Sequence, residues 1–167
     1  KKKKKDEEKT RVCGCVNSQK SHMMYALGDG CKYKVIACSS ETKAKQIYEE
    51  YRFLDSNTYL YPAKDFLFYQ ADIRSKELVK QRMEGIQAVL SGEPVTVVTS
   101  LDGFMDHLAP KESIAEKVLK IQNDSVLKLD EMAEKLSVIG YDREVQVEGP
   151  GQFAVRGGIL DIYPLTE

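Results

Sequence analysis

A regular alternation of strand-type and helix-type segments over residues 11–110 constrains the fold most. Short strand-type runs are separated by segments in which apolar residues recur at helical spacing. The strand-type runs are residues 11–15, 34–38, 58–61 and 95–99, of which 34–38 and 95–99 are compact and apolar. A strand that is apolar at nearly every position is buried on both sides, so these runs predict an α/β fold in which helices cover both faces of a parallel sheet.

Polar caps and glycines delimit three helices between these strands. The first covers residues 21–27 and ends at Gly28. The second follows Ser40, whose hydroxyl can accept a bond from the first turn of the helix. The third follows Ser75 and ends at Gly92. Buried strands separated by such helices are typical of a covered parallel sheet.

After Pro110 the pattern changes to one helix and several strands. Residues 129–139 form an amphipathic helix that stops at Gly140. Gly157 and Gly158 separate the last two strands and suit the positive φ angles of a tight hairpin turn. One helix with hairpin-linked strands predicts an α+β arrangement. The strand candidates in this part are residues 117–121, 143–148, 153–156 and 159–163.

The composition is that of a soluble globular protein, with 42% hydrophobic and 31% charged residues. A net charge of -1 gives no global reason to bind nucleic acid through its phosphates. No apolar run reaches the length of a membrane span and no signal-peptide pattern is present, which predicts a cytoplasmic protein without a membrane partner. The four cysteines fit reduced thiols, and Cys13, Cys15 and His22 lack a second ligand pair for zinc, so no metal site is predicted.

Residues 14–21 resemble a phosphate-binding loop with one departure. Gly14, Lys20 and Ser21 occupy motif positions, whereas Gln19 stands where the second glycine belongs. Phosphate binding needs a close approach of backbone amides, which a side chain at that position obstructs. Asp102, which follows the strand predicted at 95–99, is a poor candidate for holding magnesium. We therefore interpret the loop as degenerate, in a RecA-like fold that has lost its ligand, with an active P-loop NTPase as the alternative.

These patterns divide the chain into three parts. Residues 1–10, in which Lys1–Lys5 precede acidic residues, are predicted to form a disordered arm, and contact of this arm with nucleic acid is an alternative. Residues 11–112 are predicted to form the RecA-like degenerate nucleotide-binding domain, and residues 113–167 part of a smaller α+β domain. The missing initiator Met and the strand next to the last residues indicate a piece of a longer protein.

Several segments carry a family resemblance: Tyr61-Pro62-Ala63, Arg82, and residues 90–92, 97–98, 108–110, 140–141 and 153–164. Together they resemble the N-terminal UvrB-homology module of the bacterial transcription-repair coupling factors, the Mfd family. The related UvrB proteins keep an intact phosphate-binding loop and a long aromatic hairpin that clamps DNA. Here Gln19 interrupts the loop, and the path from Tyr61 to Ser75 is too short for such an insertion.

The resemblance implies a recruitment module without catalytic residues. In this family a RecA-like domain that has lost ATP binding is followed by an inserted domain that docks UvrA, which brings excision repair to stalled RNA polymerase. The family's motor is an ATP-dependent DNA translocase, so ATP, magnesium, RNA polymerase and double-stranded DNA are expected to bind other domains of the longer protein. An active ATPase or helicase-type domain of a UvrB-like repair protein is the alternative.

The resemblance assigns UvrA docking to Arg143 and Arg156, which match the family's arginines on adjacent strands, and to Phe153. In an extended strand Ala154 and Arg156 share one face, so Phe153 is either a contact or part of the core. A held guanidinium can form charge-assisted bonds to a carboxylate, and such anchors dominate many interfaces. For either arginine alone, an ion pair within the domain is an equally good interpretation; the candidate partners are Glu144, Glu148 and Asp161.

Overall fold

The computed structural model describes residues 11–64, 72–115, 118, 119, 121 and 128–165, so the predicted arm lies outside the described residues. These residues build two three-stranded sheets. The helices are α1 (Asn17–Leu27), α2 (Glu41–Tyr51), α3 (Asp72–Ser91), α4 (Leu101–Phe104), α5 (Lys111–Ala115) and α6 (Leu129–Ile139). The strands are β1 (Tyr33–Cys38), β2 (Thr58–Tyr61), β3 (Val95–Ser100), β4 (Asp142–Arg143), β5 (Gln152–Arg156) and β6 (Ile159–Tyr163).

The first sheet is parallel throughout and has the order β1-β3-β2. Val97 in the central strand lies across from Val35 on one side and from Tyr59 on the other. The α/β fold with a parallel sheet is therefore confirmed, and the three strands lie where the strand-type runs predict them.

Helices cover both faces of this sheet, as predicted. On one face α2 buries Ala44 and Ile47 against Leu60 and Val98, which form the centre of the core. On the other face α3 approaches β2 closely, with Gly85 next to the Tyr61 ring. Ser40 caps α2 as expected, because its Oγ accepts from the backbone N–H of Lys43 at 3.3 Å.

The second sheet combines a parallel and an antiparallel pair. Strand β4 runs parallel to β5, and β5 pairs antiparallel with β6 in the order β4-β5-β6. Helix α6 packs Met132 and Leu136 against Phe153 of β5. The hairpin turn has the predicted geometry, with φ of 52° at Gly157 and 93° at Gly158. The α+β arrangement is thus present in the last part of the chain.

The predicted first strand is wrong, since residues 11–15 form no strand. Gly14 adopts a φ of +85°, which interrupts an extended backbone. Helix α1 begins at Asn17, four residues before its predicted start, and ends before Gly28 as expected. The backbone N–H of Val16 donates to Oε1 of Gln19 at 3.3 Å, so the side chain of the helix's third residue helps to begin it.

Two strand predictions beyond residue 110 also need correction. The strand expected at 143–148 is reduced to Asp142–Arg143, because the backbone N–H groups of Glu148 and Gly149 donate to Oε1 of Gln152 instead of to a strand. In the candidate at 117–121, Val118, Leu119 and Ile121 lie outside any strand, and residues 117 and 120 lie outside the described residues.

Candidate functional site

Arg156 lies at the end of β5, immediately before the hairpin turn. Its Nη2 donates to Oδ2 of Asp161 at 2.5 Å, and the two side chains are 58% and 37% exposed. Asp161 lies across from Ala154, so the ion pair runs diagonally between β5 and β6. Of the alternatives that the residues left open, the structure therefore contains the ion pair to Asp161, on a surface that stays accessible.

Of the two interpretations left open for Phe153, a partner contact or a core residue, its burial in the free chain favours the core. Its side chain has no exposed area and packs against Met132 and Leu136 of α6. Residues in a strand alternate between the two faces of a sheet, so Phe153 and Val155 face α6. Arg156 then lies on the opposite face of the same strand.

Arg143 lies on the neighbouring strand, as the resemblance implies, but it does not share a face with Arg156. The parallel register places Arg143 beside Phe153, and laterally paired residues point to the same side of a sheet. Arg143 is exposed at the β4 edge, and within the residues described no hydrogen bond or ion pair engages its side chain. A partner that contacts both arginines must therefore reach around the β4 edge.

The face that carries Arg156 has three further exposed or partly exposed members that the sequence reasoning missed as contacts. Ile159 pairs with Arg156, and Tyr163 pairs with Gln152; they are 62% and 47% exposed. We call Arg156, Ile159, Asp161 and Tyr163 the hairpin face. The sequence contained a signal for this face, because Ile159, Asp161 and Tyr163 are two residues apart in β6 and residues at that spacing share one face of a strand. A central ion pair flanked by aliphatic and aromatic surface is a combination suited to protein docking.

Gln152 shapes the edge of this face. Its Oε1 accepts from the backbone N–H of Glu148 at 2.9 Å and from that of Gly149 at 3.0 Å. One side chain thus satisfies two backbone donors of the loop between β4 and β5. The loop is held to the strand that carries Arg156.

The hydroxyl of Ser21 is hydrogen-bonded within the protein. The residue is buried, with 1% of its surface exposed, and its hydroxyl donates to Oε2 of Glu50 on α2 at 2.7 Å. Gln19 and Lys20 lie in the first turn of α1 with Ser21 close behind, and Oε1 of Gln19 accepts from the backbone N–H of Val16. The hydroxyl that a phosphate-binding loop would offer to magnesium instead joins α1 to α2.

A cavity of about 420 Å³ lies beside residues 14–20. Gly14 and Lys20 line it from the loop side, and Lys43 and Cys38 line it from α2 and β1. Burial raises the pKa of the Cys38 thiol, so this cysteine is a poor nucleophile. Asp102, the candidate for magnesium, lines a different cavity with Glu41 and Lys45, so the structure does not bring it to Lys20 and Ser21.

The described part of the chain contains no group of three or more His, Cys, Asp and Glu residues arranged to hold a metal ion. No helix among these residues is long and apolar enough to cross a membrane.

Comparison with known proteins finds a family match for the part of the chain that contains the hairpin face. Residues 119–167, which include α6 and the second sheet, match the UvrB interaction domain family. A transcription-repair-coupling factor of Bacillus subtilis is 35% identical over 112 residues, which is 67% of this chain and 10% of that protein. Transcription-repair-coupling factors of Staphylococcus epidermidis and Staphylococcus aureus are 32% and 30% identical over 66% and 68% of this chain, again over 10% of their own length.

The chain thus spans about a tenth of the length of the curated relatives that it matches. About two thirds of its residues align with these relatives at an identity of 30% or more. The chain is therefore homologous to a segment of the bacterial transcription-repair-coupling factors and carries a UvrB interaction domain over residues 119–167.

Proposed function

We propose that this chain recruits the damage-recognition protein UvrA through its second sheet, as part of transcription-coupled nucleotide excision repair. The observation that supports the proposal best is the exposed Arg156 on the face of the UvrB interaction domain opposite α6. A guanidinium that is fixed on a strand next to a tight turn is a planar donor group of defined direction. Such a group is suited to a carboxylate of a protein partner.

Arg143 provides a second anchor at the β4 edge. It is exposed two residues after Tyr141, whose hydroxyl accepts from the backbone N–H of Leu165 at 3.2 Å. This bond ties the strand that carries Arg143 to the segment after β6. The partner would contact the hairpin face with one part of its surface and the β4 edge with another.

Charge reversal at each arginine tests the docking proposal. We expect Arg156→Glu and Arg143→Glu to weaken the binding of immobilised UvrA by at least tenfold, because each substitution opposes an acidic partner surface. Lys135→Glu is the matched control, since Lys135 is an exposed cation on α6 in the same part of the chain. Circular dichroism establishes that all variants are folded. Wild-type affinity in both arginine variants would overturn the proposal.

We further infer that the first sheet and its helices are a RecA-like unit that no longer binds nucleotide. The parallel order, the helices on both faces and the bonded Ser21 hydroxyl support this inference. The active ATPase remains the competing hypothesis, supported by the cavity that Lys20 and Lys43 line. Calorimetry with magnesium and ATP separates the two. We expect no heat of binding; a signal that disappears in Lys20→Ala would favour the ATPase.

The remaining activities belong, on this proposal, to other parts of a longer protein. The family resemblance implies a motor that uses ATP and magnesium to move on double-stranded DNA and to displace RNA polymerase. A recruitment module of this kind acts where bacterial transcription takes place, in the cytoplasm, and has no catalytic role of its own.

A further inference from the structure

Asp161 holds Arg156 in the free chain. Arg156 lies two residues beyond Ala154 along β5, and Asp161 lies across from Ala154 on β6. The Gly157-Gly158 turn sets the spacing of the two strands at this point. Both partners of the ion pair are therefore attached to one short hairpin, and their backbone positions are fixed relative to each other.

The ion pair leaves most of the guanidinium available. Arginine has five N–H donors, and Asp161 accepts from one terminal nitrogen, Nη2. No second acceptor among the described residues bonds this guanidinium, and 58% of the side chain is exposed. Arg156 is thus held in one direction while its other donors remain open to a partner.

The small side chain of Ala154, which lies across from Asp161, favours the ion pair. Ala154 has no exposed area although it lies on the face opposite α6, with Arg156 and Asp161 as its neighbours on that face. A methyl group at this position leaves room for the guanidinium to lie across the sheet. A longer side chain would compete for the space and for Asp161.

We propose that Asp161 is a positioning residue that presents the free edge of Arg156 to a carboxylate of the docking partner, an inference that rests on the proposed function. A long side chain that becomes ordered only on binding loses rotamer freedom at that moment. The pair with Asp161 restricts Arg156 beforehand, so less freedom is lost in the complex. Arg143 has no such partner among the described residues and must become ordered when it binds.

A double-mutant cycle on the complete 167-residue chain tests this role, with UvrA affinity as the readout. We expect Asp161→Ala to weaken binding about two- to tenfold, the range given by ordering one long side chain. Asp161→Asn should weaken it less, since its amide oxygen still accepts from Nη2. In the Arg156→Ala background Asp161→Ala should have no further effect. Glu134→Gln, which changes the charge of an exposed residue on α6, is the control.

The outcomes separate this inference from the proposed function. If Arg156→Ala weakens binding while Asp161→Ala leaves it unchanged or tightens it, Asp161 is a bystander or a competitor and the positioning role is wrong, but UvrA docking stands. An equal loss from Asp161→Ala with and without Arg156 also overturns the positioning role. If neither Arg156→Ala nor Arg143→Ala changes affinity, the arginine anchors fail and the proposed docking falls with them.

Discussion

Arg82 on α3 and Asp106 after α4 form an ion pair at 2.8 Å that is largely shielded from water, with side chains 11% and 15% exposed. The same Arg82 nitrogen donates to the carbonyl oxygen of Pro62 at 2.6 Å. The guanidinium carbon lies 4.3 Å from the centroid of the Tyr61 ring. One side chain thus joins α3 to the end of β2 and to the residues after α4.

We expect Arg82→Met to lower the free energy of unfolding by about 3 kcal/mol, because it leaves Asp106 shielded without a cation. Arg52→Met is the control: its ion pair to Glu49 is 3.7 Å long and more than half exposed. That substitution should cost no more than about 0.5 kcal/mol. Urea denaturation of both variants measures the difference. Equal losses would mean that the shielded pair has no special role.

The pair of Lys34 and Asp55 makes stability sensitive to acid. Burial raises the pKa of Asp55, but hydrogen bonds from Lys34 and Thr96 outweigh it and hold that pKa below its ordinary value of 3.8. A carboxyl group whose pKa is lowered on folding contributes its full stabilisation above pH 3.8, the pKa of the unfolded chain. This contribution is lost as the pH falls through the lower pKa of the folded protein.

We therefore expect the free energy of unfolding to decrease as the pH is lowered from 4. Asp55→Asn should reduce this decrease, because an amide does not titrate over this range. Urea denaturation at pH 7, 4 and 3 measures the dependence. Asp29→Asn, at an exposed aspartate in the loop before β1, is the control and should follow the parent chain. A parallel fall in the Asp55 variant would exclude this carboxyl as the cause.

Phe153 should affect stability and leave docking specificity untouched. Phe153→Ala removes a completely buried ring from the contact with α6 and should cost about 3 to 5 kcal/mol of unfolding free energy. Phe153→Leu keeps much of the apolar volume and should retain UvrA affinity wherever it is folded. Thermal unfolding and binding measured on the same samples check both statements. A folded Phe153→Leu chain with greatly weakened affinity would return this residue to the docking surface.

Much of the fold was predictable because its signals are local. The Ser40 cap, the glycines after α3 and α6 and the strand-type runs of β1, β2 and β3 can each be read within a few residues of the chain. The Gly157-Gly158 turn belongs to the same class, since its register follows from the two residues that form it. The failed strand at 11–15 had the right composition but contains a glycine with positive φ.

The candidate site was less predictable because it depends on register between segments that are distant in sequence. Strand β4 lies several residues before β5 in the chain, so their register cannot be read locally. Only the observed pairing of Arg143 with Phe153 shows that Arg143 and Arg156 lie on opposite faces of the sheet. The bond from Ser21 to Glu50 spans 29 residues, so no local pattern announces that this hydroxyl is engaged. Sequence alone offered three acidic partners for Arg156, and the turn geometry selects Asp161.

The hairpin turn itself should connect stability with docking. Gly158 has a φ of +93°, where a Cβ is strained, so we expect Gly158→Ala to cost about 1 kcal/mol of unfolding free energy. Gly149→Ala is the control, since a Cβ there meets nothing within 4 Å and its φ is not positive. Because the turn sets the spacing of Arg156 and Asp161, Gly158→Ala should also weaken UvrA binding in a fully folded sample. Urea denaturation and affinity measurements follow the two effects separately. Lost stability with unchanged affinity would show that docking does not depend on the spacing of this ion pair.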